Sequence, residues 1–121
     1  MVKKFEEYKR EFKIFLDMDG VLTDFENSFI NINSNSKNEE WDTFVKKYGR
    51  TKAWEIVGEE GIEWWSEMPW KEDGKELWNF VKKYNPVILS KPSRDKNSSL
   101  GKFEWCKREL GLGLDQEKYT T

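Results

Sequence analysis

The sequence predicts an α/β fold built on a parallel sheet, and three observations carry that prediction. Two short runs, Phe12-Lys13-Ile14-Phe15-Leu16 and Val87-Ile88-Leu89, are rich in aromatic and branched residues. Each gives way at once to polar residues. Between and after them, apolar residues recur at helical spacing. Strands separated by helices pair in parallel, because each crossover returns the chain to the edge from which it started.

The elements follow in order. Residues 2–10 are charged and belong at the surface. The first strand is expected to be buried and is ended by Asp17-Met18-Asp19-Gly20. Phe25, Phe29 and Ile32 fall at i, i+4, i+7 and mark a helix that Asp24 can cap. After the turn-rich Asn33-Ser34-Asn35-Ser36, Ser36 with Glu39 has the form of a capping box. Trp41, Phe44, Val45 and Tyr48 then make an apolar stripe that reads as core, and Gly49 ends it. Thr51 is placed to cap a short helix ending near Gly58, and another turn covers residues 62–67. A longer helix over residues 72–84 presents Leu77, Phe80, Val81 and Tyr84, and Asn85-Pro86 stops it. The second strand, also expected to be buried, leads through a polar loop to a last helix. Leu100, Phe103, Cys106 and Leu110 define that helix, and Gly111 closes it. Two strands do not make a stable sheet covered on both faces. Tyr119-Thr120-Thr121 stands where a third strand is due, so the sheet reads as incomplete at its C-terminal end. Two open edges predict poor solubility or self-association, as in a homodimer.

Composition narrows the chemistry. The 121 residues contain no His, which excludes Ser-His-Asp and Cys-His catalysis and disfavours zinc. Acid–base work falls to carboxylates, Lys, Tyr or water. The single Cys106 allows no internal disulfide and fits a reducing compartment. With neither a signal-peptide core nor a long apolar run, a cytoplasmic protein without a membrane partner is expected. A net charge of −2 carries no broad basic footprint for a nucleic-acid polymer. Seven Trp, eight Phe and four Tyr, 16% aromatic, exceed what a small core usually requires.

Ligands of open α/β sheets bind beyond the carboxyl ends of the strands. Asp17 and Asp19 stand at such an end, two residues apart, so they can point to one side of an extended chain. Gly20 lets the chain turn tightly beside a ligand. Adjacent carboxylates repel, a divalent cation relieves them, and oxygen ligands favour Mg²⁺. Val87-Ile88-Leu89-Ser90 ends a second strand with a hydroxyl suited to phosphate oxygens. Lys102 opens the last helix, twelve residues beyond Ser90, where a helix N-terminus adds favourable partial charge.

Phe15-Leu16-Asp17-Met18-Asp19-Gly20-Val21-Leu22-Thr23-Asp24-Phe25 resembles the first motif of the haloacid dehalogenase superfamily of phosphotransferases. Val87-Ile88-Leu89-Ser90 is similar to its second motif, and Lys102 takes the place of its third. Ser90-x-Pro92 with Gly101-Lys102-Phe103-Glu104-Trp105-Cys106 is similar to the 5′(3′)-deoxyribonucleotidase branch and its phage and bacterial relatives. The resemblance covers residues 12–112 and implies a Rossmann-like parallel sheet with a small helical cap inserted after the first strand. The whole of 1–121 is then one partial domain, with the cap at about 24–70 and the core at 11–23 and 71–121. It implies that Asp17 is the nucleophile, that Asp19 is the acid and then the base, and that Ser90 and Lys102 hold the phosphoryl group. Mg²⁺ would be bound by the Asp17 carboxylate and the Asp19 backbone carbonyl. Lys91, where family members often carry a small residue, is a cation competing with Lys102 for the phosphate. The acidic fourth motif that completes the metal site is not found.

Cap inserts in this superfamily select the substrate. By the same resemblance, Phe25, Trp54, Trp64 and Trp65 line a base or sugar pocket, where stacking suits a nucleobase. Trp70, Trp78 and Trp105 read as packing residues. The expected activity is Mg²⁺-dependent hydrolysis of a small phosphate monoester, a deoxyribonucleoside monophosphate first. The alternatives are another monoester or nucleic-acid end, or a catalytically incomplete fragment that only binds phosphate or nucleotide.

Overall fold

The computed structural model describes residues 13–33, 39–91 and 95–112 and the backbone of Tyr119–Thr120. Three short strands form one parallel sheet in the order β1 (Phe15–Leu16), β2 (Val87–Leu89), β3 (Tyr119–Thr120). Phe15 lies opposite Val87 and Leu16 opposite Ile88, while Ile88 and Leu89 pair with Tyr119 and Thr120. The sheet therefore carries a third strand at the position where the sequence reads as incomplete. Phe12 lies outside the described residues.

Four helices follow β1: α1 (Phe25–Ile32), α2 (Trp41–Tyr48), α3 (Arg50–Gly58) and α4 (Ile62–Ser66). Then come α5 (Gly74–Val81), a 3₁₀ turn (Lys82–Tyr84), β2 and α6 (Lys96–Leu110). Both crossovers advance along the sheet in one direction, so right-handed connections put α5 and α6 on the same face. Leu16 and Ile88 share a face by register, and they pack with Trp78 and Val81 of α5 and Trp105, Cys106 and Leu110 of α6. The other face is less covered than a buried pair of strands predicts: Phe15 is 58% exposed and Leu89 43%.

The helices also depart from the sequence pattern in instructive ways. Asp24 does cap α1, its carboxylate accepting the Asn27 N–H at 3.2 Å. Glu40 precedes α2 without a side-chain cap bond, and Ser36 lies outside the described residues. Gly49, not Thr51, adjoins the start of α3. Within α2, Phe44 is buried, whereas Tyr48 is exposed and leans on the Phe44 ring at 4.7 Å. In α5 the buried residues are Gly74, Trp78 and Val81, at i, i+4, i+7. Phe80 and Tyr84 are consequently exposed. In α6 the inward stripe is Ser98, Gly101, Lys102, Trp105 and Cys106, which leaves Leu100 outside. A hydrophobicity pattern cannot find a stripe made of Ser, Gly and Lys.

Two hydrophobic clusters result. One joins the sheet to α5 and α6. The other gathers Phe29, Phe44, Ala53, Val57, Trp65 and Met68 from α1 to α4 and the residues just after them. The two meet where α4 crosses α6. A Cβ built on Gly101 would overlap the Trp65 Cβ and lie 2.8 Å from the Ile62 carbonyl, so only glycine allows this approach. Arg108 of α6 also donates to the Ser66 carbonyl at the end of α4. Among the described residues, no helix is long and apolar enough to cross a membrane.

Candidate functional site

The chain leaving β1 alternates. Met18 points into the core, 3.6 Å from the Cys106 sulfur, so Asp17 and Asp19 project the other way. Gly20 then adopts φ +81°, which other residues rarely take. The turn is closed by the Val21, Leu22 and Thr23 N–H groups, all donating to the Met18 carbonyl at 2.8–3.0 Å. The Asp19 carbonyl is none of these acceptors. From the far side, Asp24 N–H donates to the Pro69 carbonyl at 2.9 Å and Lys71 N–H to the Leu22 carbonyl at 2.7 Å. The loop bearing both aspartates is thus pinned at each end.

Three of the four polar residues expected in the site converge. Lys102 Nζ donates to Asp19 Oδ2 at 2.8 Å and to Ser90 Oγ at 2.9 Å. It also reaches the Lys91 carbonyl at 3.4 Å. An ammonium has three protons, and these three acceptors use them all. The Lys102 side chain is 2% exposed and that of Asp19 is 30% exposed, so the cation is sunk and its partner is partly open to solvent. Ser90 is buried at the end of β2. Thr23 Oγ1 donates to the other Asp19 oxygen at 3.1 Å. Asp17 stands apart. It is exposed, and among the described residues its carboxylate accepts only the Met18 N–H, at 2.8 Å. The side chain of Lys91 is exposed; what Lys91 brings to the ammonium is its backbone oxygen.

The four aromatic candidates occupy one box. The Phe25 ring lies 6.1 Å from Trp54, 5.8 Å from Trp64 and 5.9 Å from Trp65. Phe25, Trp54 and Trp64 are half-buried, whereas Trp65 is buried with the α1–α4 cluster. Trp64 also lines a cleft of about 740 Å³, with Ser28, Asn31, Glu60, Glu63 and Asn97 among its other walls. None of Asp17, Asp19, Ser90 and Lys102 lines that cleft.

Two features of the site escape sequence reasoning. Thr23 lies inside the aspartate motif, but its hydroxyl bond to Asp19 depends on the turn curling back four residues. The Trp65 ring lies 5.2 Å from Lys102 Nζ, and no local signal joins positions on α4 and α6. Cys106 is no nucleophile. Burial pushes its thiol up to about 12, with the Lys102 charge pulling weakly the other way, so it stays protonated.

The candidate metal donors are hard oxygens, the Asp17 carboxylate and the Asp19 carbonyl. They fit Mg²⁺, which keeps several waters and needs only one or two carboxylates beside a substrate phosphate. Among the described residues, no three His, Cys, Asp or Glu side chains come together. No protein-family model matches this chain, and no curated protein matches it either.

Proposed function

We propose that this chain is a phosphate monoester hydrolase of the haloacid dehalogenase type, acting on nucleotides and nearest in kind to the 5′(3′)-deoxyribonucleotidases. The observation that carries the reading is the buried Lys102 ammonium held between Asp19 and Ser90, which come from the ends of two adjacent parallel strands. A desolvated cation with a hydroxyl and a carboxylate at strand ends suits a phosphoryl group, whose oxygens accept from both donors.

The steps assign a role to each side chain. Asp17, exposed at the mouth, attacks phosphorus through a carboxylate oxygen, and the phosphorus–oxygen ester bond breaks. Lys102 and Ser90 turn donors onto the phosphoryl oxygens. The Asp19 carboxylate, freed from Lys102, takes up a solvent proton and passes it to the departing sugar oxygen. Asp19, now a carboxylate, takes a proton from water, which attacks phosphorus and releases Asp17 and inorganic phosphate. Thr23 keeps the Asp19 carboxyl in orientation throughout. Mg²⁺, held by Asp17 and the Asp19 carbonyl, would screen the nucleophile's charge from the phosphate. Phe25, Trp54 and Trp64 offer ring faces for a base.

Phosphate release from deoxyribonucleoside monophosphates, with Mg²⁺ and with EDTA, tests the reading. Asp17→Asn is expected to lower turnover by on the order of 10³-fold or more. Full activity in that variant sinks the mechanism. A second reading, phosphate or nucleotide binding without turnover, is favoured by the separation of Asp17 from the Lys102 network. Saturable nucleotide binding with no phosphate release would select it.

A further inference from the structure

We propose that Trp65 is a positioning residue that holds Lys102 in place for the phosphoryl group, a claim that builds on the phosphate-site reading above. Lysine is a flexible four-carbon stem, and its three protons are all committed to protein acceptors before any ligand arrives. To receive a phosphoryl oxygen, Lys102 must turn at least one N–H away from Asp19, Ser90 or the Lys91 carbonyl. With that bond given up, its hydrogen bonds alone no longer keep it in register while it changes partners. The Trp65 ring can do so. Its face lies 5.2 Å from Nζ, within cation–π reach, and this attraction needs no particular N–H direction.

The ring itself is fixed. Trp65 is 2% exposed and packs edge-on against Trp64 at 4.8 Å, and its Cβ lies against Gly101, the residue before Lys102. Among the described residues its buried indole N–H has no hydrogen-bond partner. A buried polar group without a partner costs stability. The contact of the ring with Lys102 is made through its face. The ring face lies toward Lys102, which gives Trp65 a contact that Phe25, Trp54 and Trp64 are not seen to make among the described residues.

The test compares wild type, Trp65→Phe, which keeps an aromatic face, and Trp65→Met, which fills the space without one. Turnover of deoxyribonucleoside monophosphates, affinity for inorganic phosphate, and the Lys102 ε-methylene proton shift in lysine-labelled protein are read in all three. In wild type those protons are expected upfield of the other lysines through the ring current, and the shift persists in Trp65→Phe and vanishes in Trp65→Met. Trp65→Met is expected to lose about tenfold or more in kcat with KM nearly unchanged, while Trp65→Phe recovers most of the rate. A raised KM with unchanged kcat overturns the proposal and makes Trp65 a substrate contact. If Trp65→Met does not fold, an unshifted Lys102 in wild type overturns it alone. If wild type releases no phosphate, the hydrolase reading falls separately. The positioning claim is then decided by the Lys102 shift: an upfield shift in wild type that persists in Trp65→Phe and vanishes in Trp65→Met supports it, and an unshifted Lys102 overturns it.

Discussion

Thr23 and Cys106 show how single side chains serve the site without touching a ligand. Thr23 is buried, and its hydroxyl bonds one Asp19 oxygen while Lys102 bonds the other. Thr23→Val keeps the shape and removes the bond, so stability should fall by about 1 kcal/mol. Turnover should drop several-fold as the Asp19 carboxyl gains a rotamer, which kinetics beside a urea titration would show. Cys106 makes the opposite prediction, that of an inert group. Native protein at pH 8 should resist iodoacetamide, and unfolded protein should react quickly. The sign of its pH effect follows from holding the proton more tightly when folded, with a pKa near 12 against about 9 for a free thiol. Its stabilising contribution is complete below pH 9 and is lost as pH rises from 9 towards 12. Urea midpoints between pH 9 and 11 should therefore fall less steeply in Cys106→Ala than in wild type; equal slopes would refute the assignment.

At the scale of elements, the α4–α6 crossing is the joint that matters. Gly101→Ala raises helix propensity by up to about 1 kcal/mol. It also drives a methyl into the Trp65 Cβ and the Ile62 carbonyl. Overpacking costs typically 1–3 kcal/mol, and here backbone is among the atoms that must move. A net loss of about 1–2 kcal/mol is expected from thermal melting, with turnover falling further than stability explains, because Trp65 carries Lys102 with it. This is also where sequence legibility ends. Asp19 and Ser90 are legible because an apolar strand ending in Asp or Ser is a local signal, whereas Lys102, expected to open the last helix, is the seventh residue of α6, away from the helix N-terminus. Asp24 as a cap is legible from a local signal too. The inward stripe of α6 is not, since Ser98, Gly101 and Lys102 face inward for reasons supplied by α4 and the strand ends. Nor is that of α5, where Trp78 and not Phe80 turns to the sheet.

Across the whole molecule, the direction of the strand order explains the lopsided sheet. Two crossovers advancing the same way place both helices on one face, and Phe15 and Leu89 are left exposed on the other. The mixed α/β class and the parallel pairing follow from two apolar strands spaced by helices. The third strand at Tyr119–Thr120 has too short an apolar signature to be read beforehand.

The Asp19–Lys102 ion pair has a further consequence, in the order of folding. Its partners are 83 residues apart in the chain. Closing a loop of that length costs on the order of 4 kcal/mol in chain entropy. A partly exposed ion pair returns about 1 kcal/mol or less. The pair therefore cannot nucleate anything. It forms after β1 has found β2 and α4 has found α6, so the ammonium reaches its carboxylate only in a chain whose long-range contacts are already made. The Lys102–Asp19–Ser90 cluster, and with it the phosphate binding proposed for it, would then be among the last features the folding protein acquires, and the first it loses when the joint between α4 and α6 loosens.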